Sequence, residues 1–221
     1  VMGDNLQCQY HGLQYGPSGQ CEVAPFDAKI PKNARVRSYP VRAMYEMLWI
    51  WMGDAGLADE SLIPDFSCMT DPRRAHLHGY NHVKANYELV VDNLADLSHA
   101  HFLHGNFYPA TPDLNEADFK VTEEGDSIWC KFWYADMKIP SLWNSYAGNI
   151  HDRVDRWSEI RWDAPSNVLL SSGFTPVGRP RGEGLDLYGV HLLTPESATT
   201  THYFYCHCRG FRIDDPEIDA K

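Results

Sequence analysis

The chain has 221 residues and a mass of 25.2 kDa, with 43% hydrophobic and 22% charged residues, an ordinary globular balance that allows one domain or two. Its formal charge of -11, with Lys and Arg scattered, argues against a nucleic-acid phosphate backbone as partner, and no apolar run approaches the roughly 20 residues of a membrane-spanning helix. Six cysteines beside 13% aromatic residues read mostly as buried thiols in a reducing cytoplasm, with Cys8 the exception, rather than as disulfide staples, and no signal peptide is visible in Val1-Met2-Gly3-Asp4-Asn5.

From the N-terminus, residues 1–65 read as rich in strands and loops, with Gly16-Pro17-Ser18-Gly19 as a turn signal. Residues 35–41 alternate as a strand does, and Glu46-Met47-Leu48-Trp49-Ile50-Trp51 predicts a second strand before a Gly53-Asp54 turn. Residues 54–72, containing Pro64 and Pro72, read as a loop that separates a domain over 1–65 from one over 66–221. A short strand follows over 76–85. Residues 86 to about 104 predict one helix, because Tyr87, Val90, Val91, Leu94 and Leu97 form an apolar stripe near helical spacing. A loop is expected over 106–112. Strands are then predicted over 119–122, 127–133, 167–172, 186–193 and 200–208, with turn signals at Glu124-Gly125-Asp126 and Gly182-Glu183-Gly184. Such a series predicts an α+β fold in which a helix lies across one antiparallel sheet.

Histidines and cysteines occur at several places along these elements. His76, His78 and His82 share one strand face and read as structural or surface residues. In Cys206-His207-Cys208, strand alternation sends both thiols to one face and the imidazole to the other, which argues against a metal there. Cys8-Gln9-Tyr10-His11-Gly12 differs, because a thiolate and an imidazole three residues apart fit one metal-binding loop. By itself this pair is compatible with zinc or with a structural Cys and a capped His.

A second constellation lies near the end of the predicted helix, in Asp96-Leu97-Ser98-His99-Ala100-His101-Phe102-Leu103-His104. At about 100° per helical residue, His99 lies about 60° from Asp96, Asn93 lies the same angle beyond, and His104 returns close to the direction of Asn93. Two imidazoles and a carboxylate on one face of Fe(II) leave coordination positions open for O2, which a closed structural zinc site does not. The plainer reading is a set of buried imidazoles on an amphipathic helix. Three His and two Asp within residues 92–104, amid Val and Leu, are costly to bury without a metal. His101 is the least specific of the three.

Taken in this order, the two constellations resemble those of the Rieske non-haem iron oxygenases. Leu6-Gln7-Cys8-Gln9-Tyr10-His11-Gly12-Leu13-Gln14-Tyr15, then Ser18-Gly19-Gln20-Cys21, resembles the second cluster-binding loop of Rieske proteins, where two Cys and two His hold a [2Fe–2S] cluster. Residues 41–54, Ile160-Arg161-Trp162, residues 189–196 and residues 211–217 extend the resemblance along nearly the whole chain, most of all to the branch containing vanillate O-demethylase and dicamba demethylase.

The resemblance implies part of a β-rich Rieske [2Fe–2S] domain followed by a helix-grip catalytic domain. Cys8 and His11 would bind the cluster, with a Cys-x-His pair expected before Val1. His99 and His104 would bind the mononuclear Fe(II), with an Asp as third ligand expected beyond Lys221. Asp214-Asp215-Pro216-Glu217 reads as a turn and helix start, so Asp214, Asp215, Glu217 and Asp219 are not expected to serve. Asp96 matches the carboxylate that joins an iron-ligating His to a cluster-ligating His of the neighbouring subunit, which implies a ring of subunits, usually a homotrimer. Asn93 matches a residue beside the iron. His191 matches a His near a substrate carboxylate or hydroxyl, with Leu170 and Ser172 lining the same pocket. In the dicamba enzyme a polar residue stands where Leu170 is, so substrate identity does not carry over.

The activity so implied is that of an oxygenase component. Electrons from NADH would arrive through a reductase or ferredoxin, and O2 would be used to O-demethylate or hydroxylate a small aromatic acid. Ring or methyl hydroxylation would need the same apparatus. Two rivals remain: a zinc hydrolase built on Asp96, His99 and His104, with a structural zinc at Cys8 and His11, and a ligand-binding module without metal.

Overall fold

The computed structural model describes residues 1–27, 29–104, 117–149 and 152–219, so the loop expected over 106–112 lies outside the described residues. The chain divides into two compact units, Val1–Ile63 and Pro64–Lys221.

In the first unit, β1 (Leu6–Gln7), β2 (Gln14–Tyr15) and β3 (Cys21–Val23) form a three-stranded antiparallel sheet. Gly19, at φ +78°, closes the turn between β2 and β3 by donating its N–H to the Gly16 carbonyl at 2.9 Å. A Cβ at Gly19 would lie 2.3 Å from the Val36 carbonyl oxygen, so the position requires glycine. β4 (Val41–Met44) and β5 (Met47–Ile50) form a hairpin across Tyr45 and Glu46, both at positive φ. Residues 35–41 do not form the strand read from their alternation. Arg35 makes only an isolated bridge to Gln20, and regular pairing begins after Pro40, which has no N–H to give a ladder.

The second unit carries β6 (Ala75–Val83), α1 (Tyr87–Ala95), α2 (Ala100–Leu103), β7 (Asp118–Glu124), β8 (Ser127–Lys138), α3 (Ser141–Tyr146), β9 (Arg153–Asp163), β10 (Asn167–Pro176), β11 (Leu185–Ser197), β12 (Thr200–Arg209) and α4 (Pro216–Asp219). The strands build one seven-stranded sheet in the order β6-β12-β11-β10-β9-β8-β7, antiparallel at every step. This is the predicted α+β arrangement, with α1 lying against β9, β10 and β11. β9 was not expected from the sequence. Its core-facing side carries Arg156 and Ser158, so apolar alternation is hidden.

Phe132, Tyr134, Met137, Ile139, Trp143, Val154, Phe174, Phe211 and Ile218 form the main core, with Trp143 of α3 edge-on to Phe174. No helix among the described residues is long and apolar enough to cross a membrane. All six cysteines are thiols.

Candidate active site

The helix predicted over 86–104 is interrupted. Asn86 caps α1 by accepting from the Glu88 N–H at 2.8 Å, and α1 ends where Asp96 adopts an extended conformation (φ -97°, ψ 104°). The Asp96 carboxylate accepts from the Ser98 N–H at 2.8 Å, capping a new turn over Leu97–His99 that continues into α2. That bond holds the Asp96 carboxyl below the usual carboxylate range. A single helical wheel therefore does not relate Asn93 to His99.

The break performs a specific task. Leaving the helical path turns the Asp96 carbonyl toward His99, whose Nδ1–H donates to it at 2.7 Å. This bond fixes the tautomer that leaves the Nε2 lone pair available to a metal. It is thus the backbone carbonyl of Asp96 that orients His99 within the chain, while one carboxylate oxygen serves the cap. The rings of His99 and His104 lie 5.3 Å apart, centre to centre, at 71°. An imidazole bound at about 2.0–2.1 Å places its ring centre roughly 3 Å from the ion, so two rings sharing an ion need centres within roughly 6 Å. The pair meets that condition. Among the described residues no group of three or more His, Cys, Asp and Glu forms a complete metal site, so these two imidazoles would hold iron only with further ligands. The side chains of His101 and Asp219 lie outside the described residues. Asp215 is engaged by Arg212 and by the Glu217 N–H.

His99 and His104 border a cavity of about 430 Å³ between the helices and the sheet, which Asn93, Leu170, Ser172 and His191 also line. Strand register explains the arrangement. Ser172 sits opposite Ser158 and Leu187, Leu170 opposite Gly189, and Gly189 opposite His207, so alternate residues of four strands share one face. His191 is 7% exposed, and burial, with His207 adding to it, pushes its pKa down to about 3. Its Nδ1 lies 2.6 Å from the Tyr203 hydroxyl, whose own pKa burial pushes up to about 12. At neutral pH the pair is uncharged. Gly189 makes room for the ring, since a Cβ there would lie 2.9 Å from His191 Nε2. The Ser172 hydroxyl donates to the Trp157 carbonyl at 3.3 Å, leaving its oxygen lone pairs as acceptors.

Arg156, Ser158, Tyr134, Trp143 and His207 also line the cavity and were not read as site residues. For His207 the signal was present, since alternation opposes it to Cys206 and Cys208 and so puts it on the His191 side of β12. Arg156 and Ser158 carry none, because polar residues on the cavity side of β9 hide its alternation.

Cys8 and His11 belong to the first unit, on the tight connection between β1 and β2. The Cys8 N–H donates to the Leu13 carbonyl at 2.8 Å, and the Gly12 N–H to the Cys8 carbonyl at 2.9 Å. Gly12 has φ +76°, and both Cys8 and His11 are exposed. The turn is closed on itself and leaves the thiol and the imidazole on its surface.

A seven-stranded antiparallel sheet gripping an interrupted helix that offers two imidazoles to a cavity matches the fold of dicamba monooxygenase, a Rieske-type non-haem iron oxygenase. Within that class the chain belongs to the vanillate O-demethylase oxygenase family, whose C-terminal domain is matched by residues 83–221. The oxygenase component of dicamba O-demethylase from Stenotrophomonas maltophilia is 38% identical over 226 residues, covering 100% of this chain and 65% of that protein. TsaM1, the iron-sulfur subunit of the toluene-4-sulfonate monooxygenase system of Comamonas testosteroni, is 33% identical over 99% of this chain and 65% of its own length. The crystal structure of dicamba monooxygenase bound to 3,6-dichlorosalicylic acid superposes with a TM-score of 0.91 at 36% identity, covering 100% of this chain and 65% of that one. The chain thus spans just under two thirds of the length of these relatives.

Proposed function

We propose that the chain is the greater part of the oxygenase component of a Rieske monooxygenase that O-demethylates or hydroxylates a small aromatic acid with O2. Residues 1–65 would contribute to the Rieske domain, holding the [2Fe–2S] cluster through Cys8 and His11, and residues 66–221 would form the catalytic domain, holding mononuclear Fe(II) through His99 and His104. When bound, the cluster supplies single electrons and the iron a site for O2 activation. One observation carries this reading: two imidazoles 5.3 Å apart, one with its tautomer fixed for ligation, border a cavity of about 430 Å³.

The chain's own residues prepare that cavity for an aromatic acid. Its volume is within the roughly 300–1,000 Å³ usual for small-molecule sites. Leu170, Leu187 and Val168 give an aromatic ring an apolar wall. His191, kept neutral and oriented by Tyr203, would direct Nε2 to a substrate carboxylate or hydroxyl, and Ser172 offers an acceptor. The names of the relatives support the class, one being an iron-sulfur subunit of a monooxygenase system and another holding an aromatic acid. Asn93 would stand beside the iron. Exposure of the Asp96 carboxylate at the helix break supports its bridging to a cluster-ligating His of a neighbouring subunit in a homotrimer. Electrons would come from NADH through a reductase or ferredoxin, in the cytoplasm.

The native protein, purified with its reductase, tests this by NADH-dependent O2 uptake and by formaldehyde release from methoxybenzoates. A reduced-cluster EPR signal with substrate-stimulated O2 uptake is the expected result. A colourless, zinc-containing protein without O2 uptake would place the chain with the hydrolases instead.

A further inference from the structure

The cavity that His99 and His104 border has two unlike ends. Along β10, Val168 pairs with His191 of β11, and Phe174 pairs with Arg156 of β9, so roughly 20 Å of strand separates the ends at about 3.3 Å per residue. One end holds His191 with Tyr203, both uncharged at neutral pH, and His207, whose imidazole burial also keeps below its ordinary range. The other end holds Arg156, 9% exposed, with its guanidinium carbon 5.7 Å from the centre of the Tyr134 ring. Among the described residues that line the cavity, Arg156 alone carries a fixed charge, and none is Asp or Glu. Trp143 borders the same end, edge-on to Phe174, and its Nε1–H is buried without an acceptor among the described residues. A cation beside an unanswered N–H favours an anionic oxygen there.

We propose that Arg156 is the specificity-determining residue for the acid group of the substrate, its guanidinium pairing with the carboxylate while the rest of the molecule extends toward His191. This rests on the reading of the cavity as the site of an aromatic acid. A carboxylate that leaves water needs a counter-charge as well as hydrogen bonds, because burying an unpaired charge is costly. A neutral His191 supplies only the hydrogen bond, and the hydroxyls of Ser158 and Ser172 supply no charge. A guanidinium supplies both the charge and a planar fork of N–H donors that matches the two carboxylate oxygens. The wall between the ends suits the ring, since Leu170 and Leu187 stand on the intervening rows of the sheet. His191 is then left for an uncharged group, a hydroxyl or ether oxygen, at the far end. An acid held in this way is told from its amide by charge and not by shape.

Calorimetry of 4-methoxybenzoate and of its neutral isostere 4-methoxybenzamide with the native protein and its variants, without reductase or O2, tests this. Arg156→Met, which keeps the apolar stem, should weaken binding of the acid by about 30-fold or more, as expected when one partner of a buried charge pair is removed, and leave the amide within about three-fold. Arg156→Lys, which keeps the charge, should recover part of the loss. Where Arg156→Met fails to fold, anomalous scattering from 4-iodobenzoate in crystals of the native protein locates the ligand, with its carboxylate expected within hydrogen-bond reach of Arg156. No binding of the acid, equal weakening of acid and amide, or a carboxylate found at His191 or at His99 and His104 overturns the proposal. A protein that holds the acid at Arg156 yet takes up no O2 would keep this inference and lose the oxygenase reading.

Discussion

The hydroxyl of Tyr203 lies 2.6 Å from Nδ1 of His191, joining two groups that burial keeps uncharged at one end of the cavity. This contact bears on stability and, under the proposed function, on substrate orientation. With its folded-state pKa near 3, below the ordinary 6.5, His191 takes up a proton on unfolding. Its contribution is fully present above pH 6.5 and is lost as pH falls from there toward 3, by up to about 1.4 kcal/mol per pH unit. Urea unfolding between pH 7 and 4 should show His191→Gln losing stability less steeply than the parent. Parallel slopes would mean that folding does not depress the His191 imidazole.

Removing the tyrosine oxygen isolates the imidazole. Tyr203→Phe should lower stability by about 1–3 kcal/mol, the cost of an unsatisfied buried polar atom. It should also raise KM for the aromatic acid, because the ring loses its orientation. Thermal unfolding and steady-state kinetics measure the two effects separately.

Gly189→Ala tests the same ring from the other side. The added Cβ would stand 2.9 Å from His191 Nε2 and 3.5 Å from Leu170 Cβ, so the imidazole must shift. An increase in KM of ten-fold or more, with unchanged iron content, is expected. An unaltered KM would show that Nε2 does not contact substrate.

Much of this site was legible in the sequence because alternation on β10, β11 and β12 sends Leu170, Ser172 and His191 to one face, and the His99–His104 spacing survives inside a short helical segment. Glycine turns such as Gly125, at φ +63°, marked strand ends well. Four features were hidden for physical reasons. Asp96 is flanked by good helical pattern on both sides, so its extended conformation shows only in the cap it gives Ser98. The turn at Tyr45 and Glu46 takes positive φ without glycine or asparagine. β9 puts Arg156 and Ser158 toward the interior, where a pattern reader expects apolar residues. The pairing of His191 with Tyr203 depends on β11–β12 register, which local sequence does not reveal.

Asp96 carries two separable roles. Asn remains a good cap, so Asp96→Asn should leave thermal stability and iron content nearly unchanged, whereas Asp96→Ala should cost about 1 kcal/mol. If the carboxylate also bridges to the cluster of a neighbouring subunit, Asp96→Asn should still lower NADH-driven turnover by ten-fold or more. Full turnover in Asp96→Asn would assign the residue to capping alone.

The most direct test is the mononuclear iron content of the native protein and of two variants, His99→Ala and His104→Ala. Shared ligation by these imidazoles, 5.3 Å apart, predicts that each variant loses one iron per chain while the reduced-cluster EPR signal persists. Iron content equal to the parent in both variants would contradict it.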